Sequence, residues 1–174
     1  MRKVLFIFSV LSDSDVEWLA STGERLSLDP GTVLIPAGSQ VDYLYFVLDG
    51  RLVVKTYKGD RIATLESGEI LGEMSLVDPA PTAVSVEVLT ESTVLRLADS
   101  VVRDKLAEDP GFAARFYRAL CVFMAHRLRE TTTRFGYGKS DEDAHTKDEL
   151  NEDLLDTVHL AGARFDRMLR RLAG

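Results

Sequence analysis

Residues 71–86 read LGEMSLVDPAPTAVSV, and the interpretation of the whole chain turns on them. Gly72-Glu73 opens a short helical run, Pro79 and Pro81 mark a rigid turn, and Val84–Val88 has the character of a strand. The start of a helix offers unpaired backbone N–H groups and the positive end of the dipole, which suit an anion. Gly72, Glu73, Met74 and Ser75 are placed to present such groups, with Gly72 allowing close approach. Yet no Lys or Arg occurs from Glu66 to Leu95. Glu73 repels an anion and suits a hydroxyl donor such as a ribose 2′-OH. The competing role for Glu73 is a carboxylate that caps its own helix.

Working outward, the chain alternates with period two from Arg25 to Leu97. Strands are predicted at Arg25–Leu28, Thr32–Ile35, Tyr43–Leu48, Arg51–Tyr57, Arg61–Leu65, Val84–Val88 and Thr93–Leu97. Turn residues separate them, and Asp49-Gly50 predicts a tight hairpin between the third and fourth, since glycine accepts the positive φ such turns need. Many short strands at this spacing predict a small antiparallel barrel or roll.

Helical periodicity flanks this region. Ser12 to Asp15 supplies N-cap candidates for a short helix ending near Gly23. Asp99 or Ser100 can cap a helix through Leu106. Pro110 suits the first position of a long helix running to about Phe135. Phe112, Phe116, Leu120, Phe123, Met124 and Leu128 form its apolar stripe, which either packs on the roll or forms a dimer seam. Residues 136–153 are acidic and predict a linker, and a last helix is expected over 154–174 with Arg164, Arg167, Arg170 and Arg171 near its end. The predicted organisation is a unit over residues 1–135, the linker, and the terminal helix.

The totals exclude several classes. A chain of 174 residues is one domain or one domain with an appendage. The net charge of -7 argues against nucleic acid and against an anionic membrane surface. About forty residues with an acidic start after the long helix do not supply a winged helix-turn-helix. The apolar run from Val4 to Leu11 is too short to span a bilayer and lacks a signal-peptide cleavage site. Cys121, the single cysteine, permits no internal disulfide and is read as a small residue on a helix face in a cytoplasmic protein. His145 among the linker aspartates fits no zinc or calcium spacing. No nucleophile elbow or serine–histidine–carboxylate set appears, so no catalytic residue is assigned.

The stretches PGTVLIPAGSQVDYLYFVLDGRLVV (residues 30–54) and GEILGEMSLVDPAPTAVSVEV (residues 68–88) resemble the cyclic nucleotide-binding domain family, which includes the catabolite activator protein. The resemblance covers about Leu11 to Arg134. It implies an α+β fold: an antiparallel, jelly-roll-like β-roll of eight strands with flanking helices, a long C-terminal helix and an extra terminal helix. It implies a non-enzymatic sensor whose ligand is cAMP or cGMP. By the same resemblance Glu73 holds the ribose 2′-OH, Gly72, Met74 and Ser75 face the ligand with their backbone, and Ala83 takes the small position after the turn. The long helix is then a lid and a homodimer contact.

The sequence departs from the family at Thr82, where an arginine ordinarily pairs with the phosphate. A charge-assisted bidentate pair is lost, worth roughly 2–5 kcal/mol. Arg51, Arg61 or an arginine of the last helix is a candidate replacement. Three readings follow: a weak or re-armed cyclic nucleotide site, a site for another ligand, or a ligand-free module that binds a protein partner. KVLFIFSVLSDSDVEWL (residues 3–19) and LDTVHLAGARFDRMLRRL (residues 155–172) also look like a bacterial subgroup associated with bacteriocin-type transport, which favours an accessory role.

Overall fold

The computed structural model describes residues 4–134 and 152–173. The chain runs α1 (Val4–Val10), α2 (Asp13–Thr22), β1 (Glu24–Leu28), β2 (Val33–Ile35), β3 (Tyr43–Asp49), β4 (Arg51–Thr56), β5 (Arg61–Glu66), β6 (Ile70–Leu71), α3 (Glu73–Val77), β7 (Val84–Val88), β8 (Ser92–Ala98), α4 (Asp99–Glu108), α5 (Pro110–Arg134) and α6 (Glu152–Ala173). Two four-stranded antiparallel sheets, ordered β1-β8-β3-β6 and β2-β7-β4-β5, face each other as a roll. Helices cover the outer face of the first sheet.

The run Tyr43–Leu48 shows why this sheet needs two covers. Side chains alternate across a strand, and here both faces are apolar. Leu44, Phe46 and Leu48 join the helical core with Phe8, Leu19, Phe112 and Phe116, while Tyr45 and Val47 join the roll interior with Leu52, Leu65, Val86 and Val94. A strand buried on both sides reads as a continuous apolar segment rather than an alternating one.

The expected hairpin at Asp49-Gly50 does not form. β3 pairs with β6 and β8, and β4 pairs with β5 and β7, so Gly50 carries the chain from one sheet to the other. Its φ is +93°, and a Cβ there would lie 2.1 Å from Ser92 Oγ. The glycine signal was real, but it marks a crossing between layers. The two-residue β6 was also absent from the strand prediction, being too short to show a period.

The helices start for local reasons. Ser12 caps α2 by accepting from the Asp15 N–H, and the Asp15 carboxylate accepts from the Ser12 N–H at 2.7 Å. Asp15, 3% exposed, also takes two bonds from Arg115 at 2.6 and 2.9 Å, tying α2 to α5. Pro110 is the first residue of α5 as predicted, and Asp109 accepts from the Phe112 N–H at 2.9 Å. α4 starts one residue from expectation: Ala98 is its N-cap and makes no side-chain cap bond, while Asp99 lies inside the helix.

Phe112, Phe116, Leu120 and Phe123 of α5 are buried, which settles the stripe up to that point as packing within the chain. Leu128 turns outward at 67% exposure, on the same side as exposed Ala114, Cys121 and Ala125. α6 begins at Glu152, so two residues of the expected linker are helical, while Gly136-Tyr137-Gly138, His145 and the rest of that stretch lie outside the described residues. No described helix is long and apolar enough to cross a membrane.

Candidate ligand-binding cassette

β6 delivers the chain into Gly72, whose φ of +82° turns it sharply into α3. A Cβ at Gly72 would lie 2.2 Å from the Tyr43 carbonyl oxygen, so only glycine lets this turn sit against β3. α3 is short. Glu73, Ser75 and Leu76 point inward and are buried, and Met74 points to solvent at 63% exposure. After the exposed Pro79-Ala80-Pro81 turn, Thr82 is pinned by its backbone: its N–H donates to Ser39 at 2.9 Å and its carbonyl accepts from Gly38 at 2.7 Å. Its hydroxyl donates to the Val84 carbonyl at 3.1 Å and accepts from the Val84 N–H at 3.3 Å. Ala83 is exposed. The six candidate residues Gly72, Glu73, Met74, Ser75, Thr82 and Ala83 therefore lie along one cassette between β6 and β7, but they do not converge. Thr82 serves the turn, and Met74 and Ala83 face solvent.

Two arginines from the helices reach this cassette. Arg127 of α5 donates through Nη1 to Glu73 Oε1 at 2.5 Å, stands 3.8 Å from Glu69 Oε2, and lies over the Phe123 ring at 4.9 Å. Arg103 of α4 donates through Nη2 to the Ser75 carbonyl at 2.9 Å and stands 3.8 Å from Asp99. Burial pushes the Glu73 carboxyl above its usual range, opposed by Arg127 and by its own backbone N–H. Burial likewise raises Asp99, with Arg103 opposing and Asp42 adding to the shift.

The proposed replacement cations stand elsewhere. Arg51 lines a shallow acidic hollow of about 500 Å³ with Asp49, Glu66 and Glu91, at the opposite end of the roll. Arg61 is exposed at the start of β5. Arg164, Arg167 and Arg171 face Asp13 and Glu17. Neither Arg103 nor Arg127 was singled out as a replacement from sequence, although a signal existed. Continuing the buried positions 116, 120 and 123 by one turn lands on Arg127, and a buried Glu73 requires a cation.

The hollow beside the cassette, bounded by Asp42, Ser75, Ala80, Asp99 and Arg103, has a volume of about 120 Å³. Small-molecule sites usually measure roughly 300–1,000 Å³. The larger acidic hollow contains none of the cassette residues. Among the described residues no cluster of His, Cys, Asp or Glu suits a metal ion.

Residues 25–109 match the cyclic nucleotide-binding domain family. Over those residues the roll is similar to cyclic nucleotide-binding domains. An uncharacterized NTE family protein of Mycobacterium tuberculosis is 30% identical over 125 residues, covering 72% of this chain and 21% of that protein. The chain thus spans about a fifth of the length of that curated relative. Among solved structures, a cyclic nucleotide-binding domain of Methylobacillus flagellatus superimposes with a TM-score of 0.70 at 24% identity, covering 79% of this chain and 84% of that one. The catabolite activator protein of Thermus thermophilus gives 0.63 at 20% identity, covering 97% and 86%. These likenesses establish the fold. The match to the catabolite activator protein fold agrees with the roll and flanking helices expected from the sequence.

Proposed function

We propose that the chain is a non-enzymatic regulatory module whose cassette is held closed by its own helices and does not take up cAMP or cGMP with micromolar affinity. One observation carries this reading. Among the described residues, Arg127 and Arg103 bring their guanidinium groups to the cassette, and both engage the protein itself, at Glu73 and at the Ser75 carbonyl. Thr82 carries no positive charge in place of the phosphate-pairing arginine, and its hydroxyl is committed to Val84. A ribose hydroxyl would have to displace Arg127 from Glu73, and a phosphate would meet Arg103 already engaged with the Ser75 carbonyl.

Regulation then runs through the position of α5. A ligand or partner shifts such an element only by binding its two positions unequally. The outward stripe Ala114, Cys121, Ala125 and Leu128 on α5 suits a second copy as a homodimer contact, with a protein partner as the next reader of the signal. The accessory role in bacteriocin-type transport concerns α1, α2 and α6, which carry that resemblance. Thermal unfolding with 1 mM cAMP or cGMP tests the reading. A micromolar ligand would add about 4 kcal/mol at that concentration, so a Tm shift of several degrees overturns it and an unchanged Tm supports it.

A further inference from the structure

α4 begins where β8 ends, and its first residue, Asp99, is buried at 8% exposure. The Asp99 N–H donates to the Asp42 carbonyl at 2.9 Å, which fixes the residue against the approach to β3. Its carboxyl has no such support. Oδ1 is shut from solvent and accepts no hydrogen bond among the described residues. Oδ2 stands 3.8 Å from Arg103 Nη2, one turn along α4 and beyond hydrogen-bond range. The same Nη2 donates to the Ser75 carbonyl at 2.9 Å and so ties α4 to α3. One nitrogen therefore bonds a carbonyl and stands just out of reach of a carboxyl. The Arg103 side chain is 46% exposed, and the hollow of about 120 Å³ lined by Asp42, Ser75, Asp99 and Arg103 gives its guanidinium room to turn.

The protonation state of Asp99 decides which partner Arg103 serves. A buried carboxylate oxygen with no donor is costly, so these surroundings suit the neutral acid. Burial raises the Asp99 carboxyl, Arg103 opposes the shift and Asp42 adds to it. The charged and titratable groups that face Asp99 are Arg103 from α4, Asp42 from the segment before β3, and Tyr45 from β3. Once ionised, Asp99 needs a donor, and Arg103 Nη2 lies within about 1 Å of bonding distance. A guanidinium–carboxylate pair, with charge on both sides and two parallel bonds open to it, outcompetes a single bond to a carbonyl. The loss falls on α3, whose five residues are too few to hold a helix without tertiary support.

We propose that Asp99 and Arg103 form a proton-operated latch on the cassette: with Asp99 neutral, Arg103 holds the Ser75 carbonyl, and with Asp99 ionised, Arg103 swings to the carboxylate and releases α3. The inference is independent of whether the cassette binds a nucleotide, and it is tested on the full chain with no ligand added. Carbon-13 NMR of the Asp99 carboxyl, assigned against Asp99→Asn, gives its titration midpoint. Hydrogen exchange of the α3 amides, corrected for intrinsic rates, is then read about one pH unit to either side, because local opening reports the docking of that element. The carboxyl is expected to titrate above the ordinary value of about 3.9. Below the midpoint wild type and Asp99→Asn protect α3 alike. Above it wild type exchanges α3 roughly fivefold or more faster than Asp99→Asn, the factor for one lost hydrogen bond, with β4 and β7 unchanged. Arg103→Ala exchanges α3 fast on both sides and shows no step. A carboxyl that titrates at or below about 3.9, a wild-type α3 rate that follows Asp99→Asn through the midpoint, or a step that survives in Arg103→Ala overturns the proposal.

Discussion

Removing Arg127 separates a structural strap from a passive surface contact. In Arg127→Met the Glu73 carboxylate, 3% exposed, loses its cation and stays buried. Breaking a buried ion pair from one side costs about 3–5 kcal/mol. The Arg127 side chain is 29% exposed, so water reaches its place and the lower end applies, about 3 kcal/mol. Glu73→Gln removes the charge along with the bond and should cost under about 1 kcal/mol. In the double variant the Glu73 charge is gone and only buried Glu69, 3.8 Å from Arg127, still loses its cation, so the two changes should couple by about 1–2 kcal/mol. The sign with pH follows. Burial holds the Glu73 carboxyl above its usual range and Arg127 opposes that. Without Arg127 the folded carboxyl titrates higher still. A carboxyl raised on folding contributes stability that is full below its unfolded value, about 4.3, and that is lost as pH rises through the folded value. The deficit of Arg127→Met should be largest at pH 8 and shrink toward pH 5. Urea unfolding at several pH values reads both effects. A deficit below about 0.5 kcal/mol at pH 8, a flat pH dependence, or zero coupling would refute the strap.

Other consequences concern the scaffold. Gly72→Ala should cost more than about 2 kcal/mol, since the new Cβ meets the Tyr43 carbonyl at 2.2 Å in a left-handed conformation, and denaturant midpoints should show it. Asp15→Ala should cost about 2–3 kcal/mol at pH 7, because its carboxylate no longer accepts from the Ser12 N–H and from Arg115. Burial alone would raise the Asp15 carboxyl, but the bonds from Arg115 and Ser12 outweigh it and hold it low. That contribution is present above about pH 3.9 and vanishes as pH falls through the lower folded value, so wild type and Asp15→Ala should converge in acid unfolding. Arg103→Ala should leave the roll intact but speed exchange of the α3 amides, because the Ser75 carbonyl loses its donor from α4.

The roll was legible because turn residues punctuate short apolar or alternating runs over Arg25–Leu97, which marked seven of its eight strands, Tyr43–Leu48 as a continuous apolar run. Local signals do not say which strand a glycine leads to. Gly50 was read as a hairpin because Asp-Gly between apolar runs has that meaning in a two-stranded ribbon, whereas in a roll the neighbouring edges are already taken by β5, β6, β7 and β8. The cassette was found from Gly72, Glu73 and the proline turn, which are contiguous. Its governing contacts were not, since Glu73 and Arg127 are 54 residues apart and meet only after α5 folds back over the sheet. The arginines of α6 were read from sequence as cations near a helix C-terminus. In the fold, Arg164, Arg167 and Arg171 are held by Asp13 and Glu17, acidic residues that the sequence places at the far end of the chain.

The central claim is that this cassette lacks a phosphate-pairing cation while its scaffold remains intact. Calorimetric titration of wild type and Thr82→Arg with cAMP and cGMP addresses it directly. An arginine–phosphate pair worth roughly 2–5 kcal/mol corresponds to about 30-fold to several thousand-fold in affinity. The account predicts no measurable heat from wild type in the micromolar range and measurable binding by Thr82→Arg. Micromolar binding by wild type that Glu73→Ala abolishes would contradict it.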